Sequence, residues 1–147
     1  MLELVVFDLA GERYGIESRF VREVVRLSRF TPVPGTPAFV LGITNLRGEI
    51  LALFDLRNLL GVVTEGVSDL ARIVVLGEHG REFGLLADAA SEILHVPGAS
   101  LVQTEIAWGR AYVRGVSPGG VIVLSGEALL TDPKLTLDLG HQARQAS

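Results

Sequence analysis

The three histidines are the residues of this chain best suited to acid–base or metal chemistry, and their positions argue against both. His79 falls in a predicted turn, His95 at the end of a predicted strand, and His141 close to the C-terminus. None of them has a second histidine or a carboxylate at the spacing of a metal-ligand pair. An exposed or edge position is favoured for each, so the sequence predicts no metal site and no cofactor.

Nucleophilic and phosphate-binding patterns are also missing from the sequence. Ser91-Glu92 and Ser125-Gly126 lack the G-x-S-x-G elbow of serine hydrolases. The glycine-rich segments 77–84 and 115–120 do not precede a helix with phosphate-loop spacing. The chain has no cysteine, which excludes a thiolate nucleophile and a disulfide framework. We therefore predict that the protein is not an enzyme.

Composition narrows the remaining classes of protein. A chain of 147 residues, 48% of them apolar, is long enough to build the core of one domain. A net charge of −4 and 6% aromatic residues disfavour a nucleic-acid binder, which needs a basic face or stacking platforms. No apolar run approaches the roughly 20 residues of a membrane span, and no basic region precedes a hydrophobic block at the N-terminus. These features predict a cytoplasmic protein.

The densest local structure signals lie between Thr36 and Leu60. Apolar runs at 39–43 and 50–54 flank Asn45-Leu46-Arg47-Gly48, and Gly48 can adopt the positive φ that a tight turn requires. This pattern predicts a β-hairpin. Asp55 then stands where a carboxylate can cap the free amides of a short helix over 56–60, which Gly61 would close.

The remaining chain reads mostly as short strands joined by turns. One helix is predicted at 19–27, with Ser18 as its N-cap, and an extended proline-rich connector at 28–37. A short helix is predicted at 126–130, followed by a frayed tail from Thr131. The strands are predicted at 4–9, 13–17, 72–76, 81–87, 111–116 and 121–124, with 91–96 either a strand or a short helix.

The two halves of the chain echo each other. Tyr14-Gly15-Ile16 is matched 69 residues later by Phe83-Gly84-Leu85, and the same spacing relates Glu23 to Glu92 and Val24 to Ile93. A duplication in which each copy is mostly short strands predicts two small barrels about a pseudo-twofold axis. The expected sub-barrels are residues 1–65 and 66–131, with terminal segments able to cross between them, and a partly disordered tail at 132–147.

Three motifs carry a resemblance to a known family. Thr36-Pro37-Ala38-Phe39, the run from Gly42 to Gly48, and Asp55-Leu56-Arg57 resemble the signature of the CheW family, the coupling proteins of bacterial chemotaxis arrays. The resemblance covers nearly the whole chain, and it implies a single CheW-like domain over 1–147. The implied fold is mainly β, with two SH3-like barrels side by side and one or two short helices. The implied function is a non-catalytic adaptor that couples the cytoplasmic tips of chemoreceptors, the methyl-accepting chemotaxis proteins, to the regulatory domain of a CheA-type histidine kinase.

Candidate binding residues follow from the echo and from the resemblance. Each copy places an apolar residue beside an acidic one, near the cleft expected between the barrels, although Val24 and Ile93 taken singly fit an ordinary core as well. In CheW-like proteins that groove accepts the helical hairpin tip of a chemoreceptor. The positions of this sequence that match the receptor-contact region are Val21, Glu23, Val24, Gly42 and Ile93.

Arg47 and two residues of a later strand are the other candidates. An arginine at a hairpin tip is by default a solvated charge, but the resemblance ties Arg47 to coupling between receptor and kinase. The resemblance also implies that the kinase docks strand to strand against one barrel. Arg72 and Val74, on one face of a strand by the two-residue period, are the candidate kinase-binding residues.

Two alternatives stay open at the level of sequence. A small barrel that binds a diffusible ligand, or an enzyme subunit with a site between the barrels, requires a pocket with convergent polar groups. Within the adaptor class, the protein could serve pilus motility or another non-flagellar pathway. The second copy also has Ser125-Gly126 where the first has Asp55-Leu56, so the second short helix has weaker support.

Overall fold

The computed structural model describes residues 1–60, 66–67, 69–78, 81–103 and 111–135. These residues form ten strands and two short α-helices, which confirms a mainly β fold. No helix among them is long and apolar enough to cross a bilayer. The elements are β1 Leu2–Leu9, β2 Glu12–Glu17, β3 Val21–Arg26, β4 Val40–Leu46, β5 Glu49–Phe54, α1 Leu56–Leu60, β6 Arg72–Glu78, β7 Arg81–Ala87, β8 Ala89–Val96, β9 Val113–Val116, β10 Ile122–Leu124 and α2 Gly126–Thr131.

The ten strands form two five-stranded sheets. In the β1 sheet the strand order is β8-β1-β2-β10-β9, and in the β6 sheet it is β3-β6-β7-β5-β4. Neighbouring strands are antiparallel in each sheet except for one parallel contact, β2 with β10 and β7 with β5. Each sheet is therefore built on the same plan.

Strand registers show that the plan comes from the duplication. Val5 of β1 lies opposite Ile16 of β2 and Ile93 of β8. Its counterpart 69 residues later, Val74 of β6, lies opposite Leu85 of β7 and Val24 of β3. The spacing seen in the sequence therefore relates β1 to β6, β2 to β7 and β3 to β8, and it preserves every one of these pairings.

The two sheets do not divide at residue 65. The β1–β2 hairpin crosses from the first half of the chain to join β8, β9 and β10, whereas the β6–β7 hairpin joins β3, β4 and β5. Each sheet thus draws on both halves of the chain. The two hairpins are equivalent, so the spacing alone does not reveal which sheet each one joins.

One central core joins the sheets, and each sheet has a smaller cluster of its own. The central core takes aromatic and aliphatic side chains from both sheets and both helices. One small cluster belongs to the β1 sheet and the other to the β6 sheet. The interior strands β1 and β6 carry buried residues on both faces, which explains why their apolar residues run on without alternation. Fully buried members of the central core include Phe7, Tyr14, Phe54, Leu56, Val74, Leu76 and Leu85.

The helix predicted at 19–27 is wrong. A 3-10 turn at Ser18–Phe20 leads directly into β3. The Ser18 hydroxyl donates to Oε1 of Glu3 at 2.7 Å, and the N-cap position of the turn falls on Glu17. The valines at 21, 24 and 25 fit a helical stripe, but β-branched residues favour strands, and pairing with β6 decides the outcome. The open choice at 91–96 is likewise resolved as strand β8.

Both short helices are present, and each begins with a different kind of cap. The Arg57 amide donates to Oδ1 of Asp55 at 3.0 Å, as the sequence predicts for α1. At α2 the Ala128 amide donates to the Ser125 hydroxyl at 3.0 Å, so a hydroxyl performs the same task. Gly61, the predicted end of α1, lies outside the described residues.

The chain does not fray at Thr131. Leu135 is only 1% exposed and belongs to the central core. The Tyr112 hydroxyl donates to Oδ2 of Asp132, and the Leu135 amide donates to the Asp132 carbonyl at 3.1 Å. Residues 131–135 are thus packed in place, whereas 136–147, including His141, lie outside the described residues.

Candidate functional site

The hairpin between β4 and β5 presents Arg47 in a constrained conformation. Leu46 pairs with Glu49, so Arg47 and Gly48 form a two-residue loop with φ of 52° and 84°. Two positive φ values mark the type I′ turn that suits the twist of a hairpin. The Gly48 amide donates to Oδ1 of Asn45 at 2.9 Å, which holds the loop closed. A left-handed φ is unfavourable for arginine, so the hairpin imposes this geometry on Arg47.

Arg47 forms a two-pronged ion pair with Glu23. Its Nη1 donates to Oε2 of Glu23 at 2.5 Å, and its Nη2 donates to Oε1. The hydrogen bonds from Arg47 lower the pKa of Glu23, and the pair raises the pKa of the Arg47 guanidinium. The Arg47 side chain stays 69% exposed, while that of Glu23 is 27% exposed. The structure therefore joins two residues that the sequence assigns to separate roles.

A β-bulge places Glu23 at this position. Val21 lies opposite Leu76 and Glu23 opposite Val75, so Arg22 is the extra residue on β3. Without the bulge, Glu23 would lie opposite Val74, whose side chain enters the central core. Bulges commonly redirect a side chain in this way. The bulge changes the register of β3, so Glu23 lies opposite Val75 of the smaller β6-sheet cluster instead of Val74 of the central core.

The second copy repeats the bulge but not the ion pair. In β8, Glu92 pairs with Val6 of β1 and Ala90 pairs with the next residue, Phe7. The register therefore shifts between these two pairs. Glu92 binds Nη2 of Arg13, which lies on β2 and not on a hairpin tip. The duplication thus preserves the acidic position while its partner differs between the two copies.

Val24 and Ile93 are exposed on the sheet edges. Val24 is 36% exposed and Ile93 is 52% exposed, on the edge strands β3 and β8 of their sheets. Each follows directly after the acidic residue of its copy. The core interpretation therefore does not apply to either residue, and each copy offers an apolar surface next to a carboxylate.

Two other candidate receptor-contact residues, Val21 and Gly42, lie beneath the surface. Val21 is partly buried and packs against the central core. Gly42 is buried with a φ of 152°, and a Cβ there would lie 2.3 Å from the Thr31 carbonyl oxygen. Thr31 and Ile43 exchange backbone hydrogen bonds of 2.8 and 2.9 Å across this contact. The expectation that Gly42 contacts a partner is therefore corrected, because this glycine seats the connector against β4.

The candidate kinase-binding residues do not form a docking surface. Val74 is fully buried in the central core, so it has no surface to offer. Arg72 is partly buried and donates to the carbonyl oxygens of Leu70 and Ala71 at 2.8 and 3.3 Å. Their strand, β6, lies between β3 and β7 and has no free edge. The interpretation of Val74 is wrong because a two-residue period does not reveal that both faces of a strand are covered.

A cleft beside the β4–β5 hairpin was not predicted from the sequence. It has a volume of about 360 Å³, and it borders a sheet-edge strand and the connector. Ile50 on its rim is 53% exposed, and the Thr44 hydroxyl donates to the Arg29 carbonyl at 2.6 Å. The one available signal was Phe30, an aromatic residue in the proline-rich connector. The cleft is lined by Ser28, Arg29, Phe30, Thr31, Ile43, Thr44, Asn45 and Ile50.

The lining of this cleft mixes polar side chains with apolar ones. Arg29 is the one charged residue in its lining. Within the described ranges, no group of three or more His, Cys, Asp or Glu residues could hold a metal ion. The alternative of a small barrel that binds a diffusible ligand stays a prediction.

Two equivalent five-stranded sheets around a shared core define a duplicated small β-domain. The same kind of domain occurs in known proteins. The model of the CheW-like domain family matches residues 3–134, and the chain belongs to this family. A chemotaxis protein CheW from Rhizobium meliloti is 35% identical over 117 residues, which cover 78% of this chain and 76% of that protein. A chemotaxis protein CheW from Klebsiella aerogenes is 29% identical, over 92% and 85% of the two chains.

A solved structure shows the same fold. The crystal structure of scaffolding protein TtCheW from Thermoanaerobacter tengcongensis matches with a TM-score of 0.78 and 30% identity. The match covers 93% of this chain and 89% of that one.

Proposed function

We propose that the protein is a non-catalytic adaptor that couples the signalling tips of chemoreceptors to a CheA-type histidine kinase. The observation that carries this proposal is the Glu23–Arg47 ion pair on an exposed sheet edge, next to the apolar Val24, in a chain of the CheW-like family. The relatives named as chemotaxis proteins and as a scaffolding protein support the same role. The adaptor works in the cytoplasm, at the receptor array.

The receptor tip binds at the exposed apolar residues of the edge strands. Val24 and Ile93 supply apolar contact area, and Glu23 supplies a charge at the rim. A helical hairpin laid into such a groove gains affinity from apolar anchors, while the rim charge fixes its register. Val21 and Gly42 support this surface from beneath without touching the receptor.

The kinase regulatory domain binds at the cleft beside the hairpin. Ile50 and Phe30 offer apolar surface there, and β4 is an edge strand of its sheet. Asn45 lines this cleft, and two residues further on Arg47 holds Glu23 at the receptor face. Arg47 therefore lies at the boundary of the two surfaces, so binding at one surface alters the residues that form the other.

Binding assays with two matched variants test this arrangement. Ile93→Ser should weaken capture of a receptor-tip fragment and leave binding of the kinase regulatory domain intact. Ile50→Ser should do the reverse, and because both isoleucines are about half exposed, we expect both variants to fold. Failure of the unmodified protein to bind either partner would overturn the adaptor function. Equal loss of both partners in both variants would overturn the assignment of surfaces.

A further inference from the structure

Two arginines lie directly opposite each other at the end of β3, where Arg26 pairs in register with Arg72 of β6. Like charges in this position destabilise a sheet. The 69-residue spacing relates Arg26 to His95 and Arg72 to Glu3, which also lie opposite each other. There, His95 Nε2 is 3.1 Å from Oε2 of Glu3. The second copy therefore satisfies this position with a hydrogen bond, whereas the first copy opposes two cations.

The guanidinium of Arg26 has no partner among the residues that the structure describes, and neither has that of Arg29. Both side chains are exposed. Arg72 differs, since it donates to two backbone carbonyl oxygens. The other arginines whose side chains are described each bind a carboxylate, and they are Arg13, Arg19, Arg22, Arg47, Arg57 and Arg114. The unpaired arginines of this part of the chain thus lie together, where β3 leads into the connector.

Two clefts meet at this point. The cleft beside the β4–β5 hairpin includes Arg29, and a second cleft of about 670 Å³ includes Arg26. Ser28 and Phe30 line both clefts, so the two linings form one continuous surface across the connector. We call it the connector surface. The second cleft is lined by Arg26, Leu27, Ser28, Phe30, Val67 and Asp69.

The connector surface combines exposed apolar groups with an excess of positive charge. Ile50 and Val67 are 53% and 38% exposed. Asp69 is the one acidic residue of the two linings, so it is outnumbered by the two arginines. Apolar area rimmed by charge is typical of a protein-binding surface. Phe30 is the one aromatic residue of these linings, which is too few for the stacking platforms of a nucleic-acid site.

We propose that the connector surface binds a strip of the kinase regulatory domain that presents carboxylates beside apolar side chains. This inference rests on the proposed function, which places the kinase at the cleft that includes Arg29. Arg26 and Arg29 pair with the carboxylates, while Phe30 and Ile50 pack against the apolar part. Binding also relieves the repulsion between Arg26 and Arg72, because a carboxylate neutralises one of the two charges. The opposed arginines thus destabilise the free protein and favour the complex.

Charge reversal tests the proposal through the affinity for the purified kinase regulatory domain of the same organism. Arg26→Glu and Arg29→Glu should each raise Kd by about fivefold or more, the scale of an ion pair at the rim of an interface. Lys134→Glu makes the same change of charge at an exposed residue outside both linings, and its Kd should not change. Added salt should weaken the unmodified chain more than either arginine variant.

Arg26→Glu also tests the repulsion in the free protein. It places a carboxylate opposite Arg72, as Glu3 lies opposite His95 in the second copy. The melting temperature should therefore rise by about 1–4 °C. Weaker binding by a more stable variant excludes misfolding as the cause. A fall in the melting temperature would overturn the claim that the opposed arginines repel each other.

The outcomes separate this inference from the proposed function. If the unmodified chain binds the kinase domain and neither arginine variant changes Kd, the inference fails while the adaptor function stands. An equal loss in Lys134→Glu would assign the effect to net charge and overturn the inference as well. Failure of the unmodified chain to bind overturns both. If the arginine variants instead alter self-association in sedimentation, with kinase binding unchanged, a second copy occupies the surface and the proposal is wrong.

Discussion

The ring of Phe20 fills the space that a side chain at residue 126 would need. A Cβ built on Gly126 would lie 2.4 Å from Cδ2 of Phe20 and 2.5 Å from its Cγ. This contact explains why the second copy departs from the first at Ser125-Gly126. The 69-residue spacing places Ala89 at the position equivalent to Phe20, and Leu56 follows the cap of the first helix as Gly126 follows that of the second. Phe20 and Gly126 therefore correspond to Ala89 and Leu56, so the positions of the large and the small residue are interchanged between the copies.

We expect Gly126→Ala to destabilise the protein despite the better helix propensity of alanine. Overfilling a packed site costs about 1–3 kcal/mol, more than the gain of at most about 1 kcal/mol from replacing a helical glycine. The free energy of unfolding measured in urea checks this result. Gly119→Ala is the matched control, because its nearest contact is 3.9 Å away and its stability should hardly change. A stable Gly126→Ala protein would mean that Phe20 moves aside freely.

Gly42→Ala should cost more than Gly48→Ala. Both glycines have positive φ, but the space around Gly48 is open, whereas Gly42 faces the backbone of Thr31. Gly48→Ala therefore reports the cost of backbone strain, on the order of 1 kcal/mol, and the excess at Gly42 reports the displaced connector. Urea unfolding of both variants gives the difference. Equal losses would show that the contact between Gly42 and Thr31 is not needed.

Arg47→Glu should leave the fold intact and impair coupling. The ion pair is exposed, so its loss changes the melting temperature little, while it removes the cation that lies between the two proposed binding surfaces. Calorimetry and kinase activation measure the two effects separately. The exchange variant, Arg47→Glu with Glu23→Arg, restores an ion pair of reversed polarity. Recovery of activation in that variant would show that the pair itself is required, whereas continued loss would show that Arg47 contacts a partner directly. Unfolding of Arg47→Glu would make Arg47 a structural residue.

We expect the free energy of unfolding to fall at alkaline pH because Tyr112 ionises there. Burial and the hydrogen bond to Asp132 raise the pKa of Tyr112 to about 12, whereas an exposed tyrosine ionises near pH 10. The folded protein therefore retains a proton that the unfolded chain loses. The stabilisation is complete below pH ~10 and disappears as the pH rises toward ~12. Unfolding curves at pH 9 and 11.5 should show a loss of stability that is smaller in Tyr112→Phe, where the buried Tyr14 is the remaining tyrosine with a raised pKa. An equal loss in both proteins would assign the effect to other groups.

Local features of the fold followed from the sequence because their causes are local. The Asn45–Gly48 turn, the Asp55 cap and the 69-residue echo depend on neighbouring residues or on a fixed spacing, and each has its counterpart in the structure. The β3 segment did not follow, since the spacing of its valines fits both a helix and a strand, and pairing with β6 decides between them.

The site was harder to predict than the fold. Glu23 and Arg47 are 24 residues apart, and they meet only because a bulge and a type I′ turn direct them toward one another. Neither device has a reliable sequence signal for its direction. The prediction for Val74 was wrong for a different reason, because the two-residue period does not reveal that both faces of β6 are buried.

The crossing of the β1–β2 and β6–β7 hairpins also bears on how such a fold arises. A single copy contributes its hairpin to one sheet and three further strands to the other, so it leaves both sheets incomplete. Two identical copies would satisfy every pairing by trading hairpins, which is the arrangement of a domain-swapped homodimer. The present chain has the architecture of such a dimer with its two subunits fused end to end. The two halves differ in the partner of the acidic residue that follows the bulge, which is an arginine on a hairpin tip in one half and an arginine on β2, two strands away from β8, in the other.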